Sequence, residues 1–192
     1  IIQDRPVLYY SLKEFQDSAV DEIVLVVGKG EEEFCRREIV DKYGISKVKA
    51  IVEGGKERYH SVFEGLKQTS DADYVLIHDG ARPFVNQDII RRCMLEVPEY
   101  QACVVGMPVK DTIKIADEEG YAKQTPDRKN VWMIQTPQTF SYALIYEAYE
   151  EMLKTEDTAI TDDAMVLERI KGKKSKLIEG SYRNIKITTP ED

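Results

Sequence analysis

Two glycine-containing stretches place charged and hydroxyl side chains where a ligand could approach the backbone. In EGGKERYHSV, Gly55 follows a predicted strand and Ser61 stands near the start of a predicted helix. Paired glycines let backbone N–H groups approach an anion or a flat base, and a helix N-terminus favours negative charge. The same stretch is also typical of an ordinary turn. It contains neither the GK[ST] of a Walker loop nor the spacing of a dinucleotide fingerprint.

The second stretch, HDGARP, is more specific. Asp79 offers the oxygen ligands that Mg²⁺ prefers. Gly80 removes a side chain at a point where a ligand could press on the backbone. Arg82 could bind phosphate, or it could pair with Asp79 inside the protein. The preceding histidine, His78, lies among apolar residues and is interpreted as structural.

Four more stretches, KDTIK, TPDRKN, QTPQTF and AITDDA, supply the hydroxyl and guanidinium groups that a phosphorylated polyol needs. These groups belong to Thr112, Arg128, Thr136 and Thr161. Each also has an ordinary interpretation, respectively a strand threonine, a solvated arginine, a turn residue and a helix cap. Near the end of the chain, Lys186 alternates with two isoleucines on a predicted strand, where most lysines face solvent.

Helix-like and strand-like segments alternate along the chain and must position these groups. Short apolar runs such as EIVLVVG, KVKAIVEGG, YVLIHDG and ACVVGMPV predict buried strands, and amphipathic segments between them predict helices. One of these, EEEFCRREIVDKYG, predicts a helix with Phe34 and Ile39 inward. We therefore expect an α/β fold with a mainly parallel sheet and helices on both faces. In such sheets ligands bind beyond the carboxyl ends of the strands, which is where Asp79 and Gly80 stand.

The stretch from about 110 to 132 departs from this alternation of helices and strands and predicts a β-arm. KDTIKIA alternates like a half-exposed strand, DEEG is a turn, and VWMIQT resumes as a strand. A hairpin that projects from a sheet exposes its edges and needs a partner.

Composition excludes several classes of protein. The 192 residues fit one domain, and the net charge of -8, with dispersed basic residues, argues against binding of nucleic acid or of an anionic membrane. No apolar run reaches membrane-spanning length. The three cysteines and two histidines have no metal-motif spacing, so we expect buried, reduced thiols and a cytoplasmic protein.

Taken together and in order, GGKERYHSV, IHDGARPFV, PVKDTIK, TPQTF, ITDDA and NIKITTPED resemble the 2-C-methyl-D-erythritol 4-phosphate cytidylyltransferase family. The resemblance covers nearly the whole chain. It implies a Rossmann-like nucleotidyltransferase sheet with a β-arm, and a homodimer formed through that arm. It also implies transfer of a cytidylyl group from CTP to methylerythritol phosphate, with Mg²⁺, in isoprenoid precursor synthesis.

The resemblance assigns roles to residues that the motifs share. It implies that Gly55, Ser61 and Gly80 line the cytidine and ribose pocket, that Asp79 lies near the metal and the triphosphate, and that Lys186 points to the phosphates. Arg58 and Arg82 fall in the same nucleotide-binding motifs. Thr112, Arg128, Thr136 and Thr161 would hold the methylerythritol phosphate.

The family pattern also contains elements that the 192 residues do not include. It begins with a strand, a Gly-rich loop carrying an arginine and then a lysine, all before the residues that match DRPVLYYSL. At the other end, TTPED is typical of a helix start, with Pro190 at the first helical position. We expect the natural protein to contain both the N-terminal loop, which would neutralise charge at the α-phosphorus, and a C-terminal helix.

Three alternatives stay open at this stage. A ribitol 5-phosphate cytidylyltransferase shares the framework, although RKNVWMIQTPQTF and AITDDA favour methylerythritol phosphate. A dinucleotide-dependent oxidoreductase fits the sheet but would need a GxGxxG loop. A protein could also keep the nucleotide pocket and bind without turnover.

Overall fold

Helices and strands alternate in the computed structural model, which describes residues 2–155, 159–189 and 192. The helices are α1 (Val7–Asp17), α2 (Glu32–Cys35, continued by a π-helix over Arg36–Asp41), α3 (Arg58–Leu66), α4 (Gln87–Tyr100), α5 (Tyr142–Met152) and α6 (Asp163–Lys171). The strands are β1 (Ile23–Val27), β2 (Val48–Glu53), β3 (Tyr74–Ile77), β4 (Ala102–Pro108), β5 (Ile115–Ala116), β6 (Ala122–Gln124), β7 (Trp132–Ser141) and β8 (Lys176–Glu179). The alternation confirms the predicted α/β class.

The strands form a parallel pair, a four-stranded sheet and a small hairpin. β1 and β2 pair in parallel, and the larger sheet has the order β3-β7-β4-β8. Within it β3, β4 and β8 run in one direction, while β7 lies antiparallel between β3 and β4. The sheet is therefore mostly parallel, as predicted, with one reversed strand that the sequence did not indicate.

Apolar residues pack on both faces of the larger sheet because β4 alternates its side chains between them. Ala102 and Val104 join a core with α5 and α6 that includes the fully buried Phe140. Cys103 and Val105 face the other way, toward α4. A third cluster, around Leu12 and Leu25, links α1 with β1 and the helical segment after it. Helices on both faces are therefore confirmed.

The predicted arm contains a hairpin, but its strands differ from the expectation. Ile115 of β5 pairs with Gln124 of β6, and nearly every side chain between residues 111 and 130 is exposed. The segment VWMIQT does not pair within the hairpin. It begins the ten-residue strand β7, which crosses the main sheet.

Other expectations concern the cysteines, the membrane and the C-terminus. All three cysteines are free and buried, and burial raises the pKa of Cys93 to about 11 and that of Cys103 to about 12. No helix among the described residues has the length and apolar character needed to cross a bilayer. The helix start predicted at Pro190 lies outside the described residues.

Candidate active site

Asp79 stands at the centre of a cluster of charged side chains, two residues beyond the end of β3. Its Oδ1 atom accepts a hydrogen bond from Nε of Arg58 at 3.2 Å. Its Oδ2 atom lies 3.2 Å from Nζ of Lys186 and 3.5 Å from Nε of Arg82. Arg82 of the same loop and two residues from distant parts of the chain, Arg58 and Lys186, therefore direct positive charge at one carboxylate.

Burial and the neighbouring charges shift the pKa values of Asp79 and Arg82. Burial alone would raise the pKa of Asp79, but Arg58 and Lys186 outweigh burial and hold it below its usual value. Burial lowers the pKa of Arg82 more than the Asp79 carboxylate raises it. Asp79 is therefore an anion and Lys186 its exposed counter-ion, with 40% of that lysine side chain accessible.

The loop that carries Asp79 is fixed from several sides. The Ser11 hydroxyl of α1 donates to the carbonyl oxygens of Gly80 and Arg82 at 3.2 and 3.1 Å. Nη1 of Arg82 donates to the carbonyl oxygen of Asn184, and Ala81 accepts from the backbone N–H of Ile187. These bonds hold the segment that contains Lys186 against the loop. NIKIT is predicted to be a strand, but it has no regular secondary structure.

A second set of bonds joins His78, Asp79 and Thr136. The Asp79 backbone N–H donates to Oγ1 of Thr136 at 3.1 Å, which leaves that hydroxyl to donate to Nδ1 of His78 at 2.8 Å. Nε2 of His78 then carries the proton and donates to the Arg82 carbonyl oxygen. Burial lowers the pKa of His78 to about 4, so the ring is neutral at pH 7. His78 is structural, as interpreted from the sequence.

The glycine stretch before α3 forms a tight turn. The Gly55 backbone N–H donates to Oγ of Ser61 at 3.1 Å, so the serine holds the loop. A Cβ atom at Gly55 would lie 2.3 Å from the Cβ of His60, and one at Gly80 would lie 2.9 Å from a methyl group of Leu8. A side chain is therefore excluded at Gly55 by the following helix α3, whereas at Gly80 it would require the Leu8 side chain to shift.

A cavity of about 490 Å³ opens beside this cluster and is lined by charged and by neutral polar groups. Its lining includes the cations of Arg58, Arg82 and Lys186. It also includes Gln138 of β7, Thr161 before α6, and Glu168 of α6. Cations and hydroxyl or amide groups in one cavity can bind a phosphorylated, hydroxyl-rich ligand.

The structure brings six of the eleven predicted residues to this cavity and leaves five outside it, namely Gly55, Ser61, Gly80, Thr112 and Arg128. Thr136 lines the cavity and is only 3% exposed, in strand β7 rather than in a turn. Thr161 lines it too, but Asp162 is the residue whose side chain caps α6. Thr112 and Arg128 lie exposed around the hairpin, where Nη1 of Arg128 donates to the carbonyl oxygen of Lys110.

Sequence reasoning missed three buried residues: Gln138, which lines the cavity, and Asp163 and Tyr149, which lie behind it. Asp163 binds the two terminal nitrogens of Arg58, and Tyr149 donates to Asp163. Gln138 links β7 to the start of α6 by accepting from the Ala164 backbone N–H. The second aspartate of ITDDA was a signal for Asp163, whereas nothing in the helix pattern of α5 set Tyr149 apart.

A larger cleft of about 710 Å³ lies between β1 and β3. Its walls are mostly aliphatic and include Val24 and Val26 on one side and Val75 on the other. At one end it reaches Asp79 and Gly80. Within the described residues, β1 pairs only with β2 and β3 only with β7, so each strand has one unpaired edge facing this cleft.

Comparison with known proteins decides the family. The sequence profile of the 2-C-methyl-D-erythritol 4-phosphate cytidylyltransferases matches residues 1–192. The chain belongs to this family. Proteins of that name from Lachnoclostridium phytofermentans and Lachnospira eligens are 48% and 52% identical, and the alignments cover all of this chain and 82% and 85% of theirs.

Solved structures agree with the family assignment. The crystal structure of 4-diphosphocytidyl-2C-methyl-D-erythritol synthase from Anaerococcus prevotii superposes with a TM-score of 0.91 at 37% identity, covering 100% of this chain and 84% of that one. The Thermus thermophilus cytidylyltransferase gives 0.81 at 32% identity, covering 98% and 86%. The predicted nucleotidyltransferase fold and transferase class are confirmed, and the main interpretation is favoured over the oxidoreductase and ribitol phosphate alternatives.

Proposed function

We propose that the protein transfers the cytidylyl group of CTP to 2-C-methyl-D-erythritol 4-phosphate and releases pyrophosphate. The observation that carries this proposal is the convergence of Arg58, Arg82 and Lys186 on Asp79 beside a cavity with a hydroxyl-bearing wall. Cations suit the phosphates of both substrates, and the hydroxyl and amide wall suits the polyol. Membership of the family supports the choice of substrates.

The reaction is an in-line displacement at the α-phosphorus of CTP. A phosphate oxygen of the polyol phosphate attacks, a new P–O bond forms, and the bond to the bridging oxygen breaks with the electron pair leaving on pyrophosphate. Little covalent help is needed from the protein, so alignment and positive charge carry catalysis. Lys186 is the exposed cation that neutralises charge on the phosphates, and the backbone near Gly55 and Gly80 contacts the cytidine.

Mg²⁺ fits the donor groups at Asp79. Among the described residues, no three His, Cys, Asp or Glu side chains cluster as a preformed metal site. A single carboxylate is sufficient for Mg²⁺, which takes many of its ligands from substrate phosphates and water. When bound, Mg²⁺ would supply charge neutralisation for the triphosphate. Asp79→Asn should raise the Mg²⁺ concentration needed for CTP binding, and an unchanged Mg²⁺ titration would contradict this role.

Methylerythritol phosphate would be bound by residues from two copies of the chain. Thr136 and Thr161 line the cavity, whereas Thr112 and Arg128 lie outside it in an exposed hairpin. We propose a homodimer in which each hairpin reaches the site of the other copy, an exchange that two-fold symmetry makes reciprocal. The reduced, buried cysteines and the phosphorylated substrates are consistent with a cytoplasmic enzyme.

The domain would be completed in the cleft between β1 and β3. We propose that the family's N-terminal strand pairs with both unpaired edges there and delivers its Gly-rich loop to the end of the cleft at Asp79. The aliphatic lining and the two free edges support this position. The whole then forms a single nucleotidyltransferase domain. A hydrogen-exchange experiment on full-length protein should show protection of β1 and β3 comparable to that of β4.

A pyrophosphate-release assay on the full-length protein tests the proposed reaction. CTP with methylerythritol phosphate should support turnover, and UTP should not, because a site that pairs an exocyclic amine leaves buried groups unpaired with uracil. Ribitol 5-phosphate is the control acceptor. Faster turnover with ribitol 5-phosphate, or equal use of CTP and UTP, would contradict the proposal.

A further inference from the structure

A fully buried carboxylate, Asp163, lies behind the active-site cluster at the first position of α6. Its Oδ1 and Oδ2 atoms accept from Nη1 and Nη2 of Arg58 at 3.0 and 2.8 Å, which is a two-pronged pairing. The side chain is 0% exposed. The Tyr149 hydroxyl from α5 donates to Oδ1 at 2.5 Å. Burial, aided by Asp163, raises the pKa of Tyr149 well above its usual value, so Tyr149 stays a donor.

The pairing determines which part of Arg58 can face Asp79. Because both terminal nitrogens are engaged by Asp163, only Nε reaches Oδ1 of Asp79. Oδ2 of Asp79 is then shared between Lys186 and Arg82 at 3.2 and 3.5 Å. If the guanidinium were released from Asp163, its fork could take both oxygens of Asp79, the carboxylate that lines the cavity.

The same pairing also joins the starts of two helices. Arg58 is the first residue of α3, which follows the turn of Gly55, and Asp163 is the first residue of α6, two residues after Thr161. The nucleotide side of the proposed site and its polyol side are thus connected through one ion pair. Loss of the Asp163 charge would leave the partly buried Arg58 with Asp79 as its remaining described counter-ion, so the connection between the two helices depends on the charge of Asp163.

We propose that Asp163 is a positioning residue for the transfer reaction. It engages both terminal nitrogens of Arg58, so that Arg58 offers only Nε to Oδ1 of Asp79, and it fixes α6 against α3. It touches no substrate, and it acts through Arg58. This role rests on the proposed function, because Asp79 matters to catalysis only if CTP binds beside it.

The test uses Asp163→Asn, which keeps the shape of the side chain and removes its charge. In full-length protein we expect the Kd for CTP, measured by calorimetry well below the melting temperature, to rise roughly tenfold or more, with a similar fall in kcat/KM for methylerythritol phosphate. Asp88→Asn is the matched control, since Asp88 pairs with arginines in the first turn of α4, away from the cavity.

A double-mutant cycle with Arg58→Lys separates positioning from stability. Lysine keeps a cation near Asp163 but has no fork, so Arg58→Lys alone should weaken CTP binding, and adding Asp163→Asn should cost little more. An equal cost of Asp163→Asn in both backgrounds would overturn the proposal. If Asp163→Asn does not fold, Arg58→Lys decides alone, and wild-type affinity for CTP in that variant would overturn it.

Measurements on the wild-type protein distinguish failure of the positioning role from failure of the proposed function. If the wild type neither binds CTP nor releases pyrophosphate, the proposed function fails. If it does both while Asp163→Asn binds CTP as tightly as Asp88→Asn, only the positioning role fails.

Discussion

The Asp79 cluster and the hairpin around residues 111–130 hold their polar side chains in different ways. Asp79 is contacted by Arg58, Arg82 and Lys186, and its backbone N–H is bound by Thr136. In the hairpin region Arg128 has one hydrogen bond to a backbone carbonyl, and Thr112 is exposed. The cluster is therefore organised by its own chain before any ligand binds, whereas the hairpin residues have little of this chain to hold them.

This difference gives each region a distinct response to mutation. Substitution of cluster side chains that face the cavity should lower turnover. Substitution of those behind the cavity should lower stability as well. Side chains of the hairpin should affect turnover only if they reach a second copy of the chain.

Lys186→Ala should lower kcat by roughly two orders of magnitude or more and change the melting temperature little. The side chain is 40% exposed and its charge is proposed to neutralise the phosphates, a contribution of about 3 kcal/mol in a closed site. Lys174→Ala, an exposed lysine in the segment before β8, is the control in the same pyrophosphate-release assay. A similarly small effect on kcat in both variants would contradict a catalytic role for Lys186.

Arg128→Ala should raise the KM for methylerythritol phosphate by about 30-fold without loss of stability, because a charge-assisted phosphate contact is worth roughly 2 kcal/mol. Lys129→Ala, the exposed neighbour in the same turn, is the matched control. Unfolding, mixing and refolding Arg128→Ala with Lys186→Ala should return part of the activity, since one site of each heterodimer would then be intact.

The outcome of the mixing experiment depends on which chain Arg128 serves. If Arg128 acted within its own chain, every site in every heterodimer would carry a lesion. The mixture is therefore assayed at a methylerythritol phosphate concentration below the wild-type KM, where both parents are slow. A mixture with demonstrated subunit exchange that is no faster than its parents there would rule out the reciprocal arrangement.

Regular elements were predictable from sequence where local pattern decides the structure. Apolar runs ending in glycine or charge predicted β1, β2 and β3 close to their observed bounds. HDGARP indicated the centre of the cluster because a parallel strand must end there.

Features that depend on tertiary packing were not predictable. The helix pattern placed Phe34 inward, but it is 56% exposed, because the π-helix that follows α2 changes the residue spacing and Cys35 is buried instead. The antiparallel course of β7 follows from pairing with β3 and β4, which no local pattern encodes. The roles of Asp163 and Tyr149 follow from the pairing of Asp163 with Arg58, which is 105 residues from Asp163 in sequence.

Acidification should lower the free energy of unfolding because of His78. Its pKa falls from 6.5 to about 4 on folding because of burial, so the unfolded chain takes up a proton below pH 6.5 and the folded chain does not. The free energy of unfolding should therefore decline as pH falls from 6.5 toward 4, by about 2–3 kcal/mol in total. The low pKa of Asp79 acts only below about pH 4, outside this window.

A variant that cannot titrate isolates this contribution. His78→Gln should be less stable at pH 7, because it replaces a ring that bridges Thr136 and the Arg82 carbonyl, but its stability should change less between pH 6.5 and 4.5. Denaturant unfolding curves across that range measure both slopes. Parallel pH dependence of variant and wild type would contradict the assignment to His78.

The smallest expected effect separates two neighbours at the start of α6. Oδ1 of Asp162 accepts from the Met165 backbone N–H at 2.8 Å and Oδ2 accepts from Gln138, so Asp162→Ala should lower the free energy of unfolding by about 1–2 kcal/mol. Thr161→Ala removes a hydroxyl whose nearest described partner is the Met165 sulfur at 3.9 Å, and it should leave stability unchanged. Both residues line the cavity, but the Thr161 hydroxyl is not used to cap α6, so the Thr161 variant should raise the KM for methylerythritol phosphate by a few-fold. Chemical denaturation gives the free energy of unfolding of each variant, and steady-state kinetics gives the KM of each for methylerythritol phosphate. The comparison holds if the stability loss belongs to Asp162 and the KM change to Thr161, and it fails if Thr161→Ala destabilises the protein as much as Asp162→Ala does.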